Sequence, residues 1–293
     1  MTGFLDIYQN LPLKINPIAV QVGFFSIGWY PLMYIAAFVT VYLLLQYRIK
    51  CEEVKGQKFQ VFIASRGLIE DLFFYAIIGA LLGGRLGYWL FYDFRYFLNH
   101  PWELFWPFDQ NGNFIGLYGM SYYGGLLGIV ISALFLVKKY KINFWQLADF
   151  VVPAIPAGYF FGRIGNFLNL ELYGKPTDKP WGMYFFDGYD YLLRHPNQLY
   201  EAFLEGILLF AILWSIRNRE KLRGLYLSFY LIGYGIIRFF MEFLRDTQSL
   251  AGAQFQISGI NLTLSQIFSV SAALIGLIFM FYKYSKKNYN KGK

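Results

Sequence analysis

Seven stretches of this chain are apolar over lengths that match the thickness of a lipid bilayer, and that pattern limits every later reading. They fall near Ile27–Gln46, Leu72–Phe91, Gly116–Val137, Trp145–Phe161, Tyr200–Ile216, Gly224–Phe243 and Leu262–Tyr282. A helix rises about 1.5 Å per residue, so crossing a hydrocarbon core takes roughly 20 residues. The fourth and fifth stretches are short, and the fourth carries Pro153 and Pro156. Those prolines predict a kink whose freed backbone groups are satisfied by neighbouring helices. Only 15% of the 293 residues are charged and 57% are hydrophobic, whereas soluble domains average about a quarter charged. The expected fold is all-α: a polytopic membrane protein with about seven transmembrane helices, forming one helical domain over residues 1–293.

The net charge of +8 invites comparison with a nucleic-acid footprint, but its distribution argues otherwise. Lys and Arg concentrate in alternate connections: Arg48, Lys50, Lys55 and Lys58; then Lys138, Lys139 and Lys141; then Arg217, Arg219, Lys221 and Arg223. The tail adds Lys283, Lys286, Lys287, Lys291 and Lys293. With seven spans all four segments share one side, which the positive-inside rule makes cytoplasmic. The N-terminus then faces outward and the C-terminus is cytoplasmic. Membrane lipids are the expected surroundings, and no nucleic acid is implied. The first thirty residues lack a signal peptide's charged n-region and cleavage motif. Cys51 has no disulfide partner within the chain, and His100 and His195 are the only histidines. That leaves no cluster with metal-ligand spacing, so neither a metal nor a cofactor is expected.

Two outer connections, about 94–113 and 163–197, exceed simple turns. Both are rich in aromatics, Pro and Gly, as in HPWELFWPF and KPWGMYFF. Aromatic side chains with polar tips favour the headgroup level, which predicts that these loops lie on the membrane surface. GGRLGYW (Gly83–Trp89) and FGRIGNF (Phe161–Phe167) form a near-repeat closing the second and fourth helices. It is too short to establish an inverted repeat.

Polar residues then crowd where apolar ones are expected. In GRIGNFLNLELYG (Gly162–Gly174), Arg163 and Asn166 share a face if the helix continues, and Glu171 follows at similar depth. The plain alternative is that Arg163 snorkels to the headgroups while Glu171 and the asparagines cap the helix end. The sixth stretch, GYGIIRFFMEFLRD, places Tyr234, Arg238, Glu242 and Arg245 on one stripe at spacings of four, four and three. Charges inside a membrane segment face a bundle interior or an aqueous cavity and are functional hypotheses by default. An Arg238–Glu242 ion pair alone is the structural alternative. Arg85 lies late in the second helix and Arg163 ends the fourth, so positive charge is in excess. Guanidinium groups grip phosphate in bidentate fashion, which makes an arginine-lined, outward-open cavity a site for an anionic headgroup. Tyr30 in GWYPLMY, the MSYYGGLLG segment and RHPNQLYE fall at the same outer depth. Gln198 and Glu201 in the last of these are expensive if they face lipid.

GRIGNFLNLELYG resembles the signature G-R-x-G-N-F-x-N-x-E-x-x-G of the bacterial prolipoprotein diacylglyceryl transferases. GGRLGY, HPNQLYE and GYGIIRFFMEFLR are similar to that family in order and spacing. The resemblance covers nearly the whole chain. It implies a seven-helix enzyme of the bacterial cytoplasmic (inner) membrane with its active site facing outward. Such an enzyme moves the diacylglyceryl group of phosphatidylglycerol to the lipobox cysteine thiol of a prolipoprotein signal peptide. A thioether forms and glycerol phosphate leaves. Carried over residue by residue, the resemblance makes Arg163 and Arg238 essential, with Asn166, Gly174, Tyr30, Tyr234 and Glu242 at further functional positions. Arg85, Asn169 and Glu171 join the expected headgroup-binding set. The family often has His immediately before the Gly-Gly of YYGG, and this chain has Tyr123. The thiol proton is then left to His195, to a carboxylate, or to no dedicated base, since a thiol is already a few per cent thiolate at pH 7. A lipid or anion transporter built on the same cavity is the alternative. It would need a polar path reaching Glu70, Asp71 or Asp149.

Overall fold

The computed structural model describes residues 2–23, 25–52, 67–91, 94–101, 106, 119–186, 188–246, 254–257 and 260–291. Lys55, Lys58, Lys293 and most of the expected 94–113 loop lie outside them. The chain opens with a short helix α1 (Thr2–Gln9), a hairpin β1–β2 (Ile18–Val22, Phe25–Gly28) and the long helix α2 (Trp29–Glu52). Helices α3 (Leu68–Phe91), α4 (Phe94–Asn99), α5 (Tyr122–Tyr140), α6 (Phe144–Val151) and α7 (Ile155–Leu168) follow. A second hairpin, β3–β4 (Met183–Phe186, Tyr191–Arg194), precedes α8 (Asn197–Glu201) and α9 (Leu209–Ile216), which are joined by a π-helical turn over Ala202–Leu208. Helix α10 (Tyr226–Met241), hairpin β5–β6 (Gln254–Ile257, Ile260–Thr263) and α11 (Leu264–Lys291) complete the order.

Five of the described helical segments are long and apolar enough to cross a membrane: Trp29–Lys50, Tyr122–Tyr140, Phe144–Leu168, Asn197–Ile216 and Leu264–Ser285. Helix α10 is apolar but only 16 residues long. Helix α3 reaches 24 residues and carries Glu70, Asp71 and Arg85. Burial runs opposite to that of a water-soluble protein. Leu43, Ile278 and Phe281 stand more than half exposed, while Glu201, Arg238 and Glu242 are buried. That is the arrangement expected where lipid is the solvent and polar groups pair inside.

The chain divides into two compact units, Gln46–Leu147 and the combination of Met1–Leu45 with Ala148–Lys293. In the first, α3 and α5 pack through small residues. A Cβ added at Gly79, Gly83, Gly124 or Gly128 would collide with the facing backbone, so glycine at four-residue spacing lets the helices touch. Ser132 Oγ donates to the Tyr75 carbonyl at 2.7 Å, and Asp71 receives Lys139 Nζ at 2.5 Å and Tyr140 Oη at 2.7 Å. Ser121 starts α5 by accepting the Gly124 N–H at 3.2 Å.

In the second unit, Pro153 and Pro156 leave their mark between α6 and α7. The helix tightens into a 3₁₀ turn over Val152–Ala154 before resuming as α7, because each proline removes a donor and crowds the preceding turn. The span expected to close at Phe161 continues to Leu168, which carries Arg163 and Asn166 on regular helix. Phe167, Met183 and Phe185 form a buried cluster with Tyr8, Ile15, Tyr173 and Leu199 against it. This cluster fastens hairpin β3–β4 and α1 over the end of α7. The hairpin lies within the aromatic 163–197 segment, where the sequence suggested only a loop.

Candidate active site

Arg163 stands on the last turns of α7, and Arg238 on the last turn of α10. Both reach the same carboxylate. Arg163 Nε lies 2.9 Å from Glu201 Oε2, and Arg238 Nη1 lies 2.5 Å from Glu201 Oε1. Glu201 ends α8 and is 2% exposed. Asn197, one turn earlier, donates Nδ2 to Glu201 Oε1 at 2.8 Å. Arg238 also extends Nη2 to Glu242 Oε2 at 2.9 Å, the spacing of one helical turn. Thr263 Oγ1, from β6, donates to Glu242 Oε1 at 3.0 Å. Arg245 Nη1 approaches Glu242 at 3.8 Å. The ion-paired network therefore sets three guanidinium groups against two carboxylates, one positive charge in excess.

Asn166 continues the network outward. Its Oδ1 accepts Arg163 Nη1 at 3.2 Å and its Nδ2 donates to Glu171 Oε1 at 2.8 Å. Glu171 is brought back under α7 by an unusual backbone: Leu170 and Leu172 on either side have φ of 58° and 60°. Left-handed conformations are unfavourable for leucine and persist where surrounding contacts over-determine them. Here the Glu171 N–H donates to the Asn166 carbonyl at 3.0 Å, and Gln198 Nε2 holds the Glu171 carbonyl at 2.6 Å.

Gly174 sits where three segments meet. Its N–H donates to the His195 carbonyl at 2.8 Å, and Arg194 Nη1 reaches its carbonyl at 3.3 Å. A Cβ there would fall 2.7 Å from both His195 Cβ and the Leu244 carbonyl oxygen. Arg194 also meets Asp246 at 2.5 Å and lies over the Tyr173 ring at 4.9 Å, tying β4 to the residues after α10.

Tyr30, at the start of α2, lies against Gly165 of α7, and its hydroxyl is 3.1 Å from that of Tyr34. Tyr234 faces Tyr159 edge-on at 5.8 Å. Tyr159, four residues before Arg163, accepts Arg163 Nε at 2.7 Å as well as Nη2. Asn169 caps α7 through its backbone N–H to the Gly165 carbonyl. His195 is partly buried with Nδ1 3.2 Å from Tyr200 Oη. Burial, then the nearby Lys179 ammonium, holds its imidazole below the ordinary histidine value.

Tyr30, Arg163, Asn166, Glu171, Gly174, His195, Tyr234, Arg238 and Glu242 thus all belong to one unit. Arg85 and Tyr123 belong to the other. Arg85 is buried on α3, donating to the Gly119 carbonyl at 3.1 Å with Phe97 5.5 Å away. Tyr123 stands in the first turn of α5, its ring 5.4 Å from that of Tyr122. Asp71 and Asp149, considered for a polar path, serve local bonds: Asp71 as above, Asp149 as acceptor for the Gly224 N–H. Among the described residues no group of His, Cys, Asp and Glu could hold a metal ion.

Sequence reasoning did not place Glu201, Tyr159 or Glu205 in the site. Glu201 was recognisable as costly in lipid, and Tyr159 and Glu205 stand one turn from Arg163 and Glu201, the spacing that signals a shared face.

The family model of prolipoprotein diacylglyceryl transferase matches residues 17–282. A Chlorobaculum tepidum protein is 42% identical over 95% of this chain and 94% of its own length. A Campylobacter curvus protein is 40% identical over 99% of this chain and all of its own. An Acinetobacter baumannii protein is 42% identical over 95% and 96%. All three are named phosphatidylglycerol–prolipoprotein diacylglyceryl transferase. With a buried pair of arginines on one carboxylate and this similarity along nearly its whole length, the chain belongs to the prolipoprotein diacylglyceryl transferase family.

Proposed function

We propose that this protein transfers the diacylglyceryl group of phosphatidylglycerol to the lipobox cysteine thiol of a prolipoprotein signal peptide. It does so as a seven-span protein of the bacterial inner membrane, folded as one functional domain with its site toward the outer side. The N-terminus is outside and the C-terminus cytoplasmic. The observation that carries the reading is the convergence of Arg163 and Arg238 on Glu201. A single carboxylate aims two guanidinium groups at one place while leaving the ion-paired network with an excess of positive charge. A phosphodiester carries one negative charge and offers oxygens suited to such a fork.

Arg163 and Arg238 hold the phosphate, Asn166 and Tyr30 orient the headgroup, and Glu242 fixes Arg238. Gly174 lets the 171–174 turn pack close enough to keep Glu171 on Asn166. Asn169 and Tyr234 complete the headgroup-binding set, with Tyr234 backing Tyr159. The thiol sulfur attacks the glyceryl carbon that bears the phosphate ester. A C–S bond forms, the C–O bond breaks, and its electron pair leaves with glycerol phosphate. The new phosphate monoester is basic enough to take up the thiol proton, so Tyr123 is not needed as a base and His195 need only stay neutral. Negative charge grows on the leaving phosphate in the transition state, where preorganised donors act most strongly. The transporter alternative lacks support: the relatives carry a transferase name, and Asp71 and Asp149 are engaged locally.

The test is a gel-shift assay with labelled phosphatidylglycerol and a lipobox peptide. Arg163→Ala and Arg238→Ala should each lose roughly 10²–10³ in rate. Undiminished product from both variants would rule the assignment out.

A further inference from the structure

Around Glu201 and Glu242, most buried polar atoms without a hydrogen bond among the described residues are acceptors: Asn197 Oδ1, Gln198 Oε1 and both oxygens of Glu205. Arg245 Nε is a donor left in the same state. The amide orientations are set by the bonds the nitrogens make, Asn197 Nδ2 to Glu201 and Gln198 Nε2 to the Glu171 carbonyl. Glu205 is 1% exposed and follows Glu201 by one turn, inside the π-helical segment Ala202–Leu208. Such turns are rare and gather at functional sites. The Tyr159 hydroxyl is the one donor that interacts with the Glu205 carboxylate, and it is too weakly placed to satisfy either oxygen. A buried carboxylate so poorly satisfied is costly and calls for an explanation.

A phosphate supplies acceptors only, so it cannot satisfy this group. A ligand bearing hydroxyls beside its phosphate can. We propose that Glu205 accepts hydrogen bonds from the glycerol hydroxyls of the phosphatidylglycerol headgroup and thereby selects that lipid from other anionic phospholipids. This rests on the transfer activity proposed above and deepens it. The arginines bind whatever carries a phosphodiester; the acceptors one turn away distinguish a polyol from an alkyl headgroup. A site that must pair its buried acceptors rejects analogues lacking the donor far more strongly than a merely apolar pocket does.

The experiment compares transfer from phosphatidylglycerol with transfer from phosphatidylpropanol, which has the same charge and no headgroup hydroxyl. It uses the full chain in detergent–lipid micelles. The wild type should favour phosphatidylglycerol in kcat/KM by at least about tenfold. Glu205→Ala should bring that ratio down to near unity, and Glu205→Gln, which keeps one acceptor oxygen, should fall between. Binding of glycerol phosphate against propyl phosphate, by calorimetry, reads the same preference in a variant too slow to assay. A ratio unchanged in Glu205→Ala overturns the proposal, and so does a Glu205→Gln protein that fails to fold, since the carboxylate would then be structural. No transfer from either lipid by the wild type would instead sink the transferase reading itself.

Discussion

Glu201 meets Arg238 through an Oε1–Nη1 contact of 2.5 Å while its other oxygen, Oε2, stays 2.9 Å from Arg163. One carboxylate therefore sets the separation of two guanidinium groups carried by different helices. Removing it leaves two buried cations facing each other with Glu242 as the remaining ion-pair partner of Arg238. Breaking a buried ion pair on one side costs about 3–5 kcal/mol. Glu201→Ala is accordingly expected to lower the thermal midpoint clearly in a detergent-based unfolding assay and to abolish transfer. Glu171→Ala, which removes an exposed carboxylate from Asn166, should leave the midpoint within a degree or two. Equal midpoints for the two variants would contradict the bridging role.

Arg238 divides its fork between two acceptors, Glu201 on α8 and Glu242 on its own helix. A lysine ammonium is a point charge on a flexible stem and cannot span both in that fixed geometry. Arg238→Lys should stay folded, because the charge is kept, yet lose at least about 10²-fold in kcat/KM. The measurement is product formation at saturating and sub-saturating phosphatidylglycerol. A lysine variant close to wild type would mean that charge alone, without the fork, suffices.

Much of this network could be read from the chain before any fold was known. The stripe Tyr234, Arg238, Glu242, Arg245 was visible as helical spacing, and two of its intervals are ion pairs in the structure. The signature GRIGNFLNLELYG pointed to Arg163, Asn166 and Glu171 together. What the spacing could not give is which side chain of one helix meets which of another. That depends on helix rotation and depth, so Glu201 was legible as an expensive residue but not as the shared counter-ion. Tyr159 hid among many aromatics whose default reading is packing or the headgroup belt. Hairpin β3–β4 escaped for a different reason: its strands are four residues each and lie in a segment whose aromatics and prolines read as an irregular surface loop. Arg85 and Tyr123 lie on the glycine-packed pair α3–α5, in the other compact unit. Sequence depth alone could not assign them to a unit.

Two glycines of the signature should respond in opposite ways to the same substitution. A Cβ at Gly174 would meet His195 Cβ and the Leu244 carbonyl at 2.7 Å, and the His195 carbonyl at 2.9 Å. Two of those three atoms are backbone and have little room to yield. Gly162, on helix α7, has nothing within 4 Å of a built Cβ. Gly174→Ala should therefore cost about 1–3 kcal/mol of stability, as overpacking does, and reduce transfer through the displaced 171–174 turn. Gly162→Ala should be neutral or slightly stabilising, since alanine favours helix over glycine by roughly 1 kcal/mol. Thermal unfolding of both, with transfer measured in parallel, decides it. A tolerated Gly174→Ala would show that the three segments do not need so close an approach.

His195 gives the chain a titration of known sign. Its folded pKa is held below the ordinary value, first by burial and then by the Lys179 ammonium. The imidazole is neutral at pH 7 in both folded and unfolded chains, so its native environment carries no penalty there. As pH falls through the unfolded value near 6.5, the unfolded chain takes up a proton before the native one. Stability therefore declines with falling pH until the folded pKa is passed. The bond between Nδ1 and Tyr200 Oη, 3.2 Å long, is the contact at risk, because a charged imidazole could only donate to it. His195→Gln should flatten the stability profile below about pH 6.5 while leaving the midpoint at pH 8 nearly unchanged. Lys179→Met should raise the imidazole pKa, seen by NMR titration, and narrow the acid-sensitive window. A profile equally steep in the His195→Gln protein would assign the acid sensitivity to other groups, and transfer that stays constant across the window would remove His195 from the proton pathway as well.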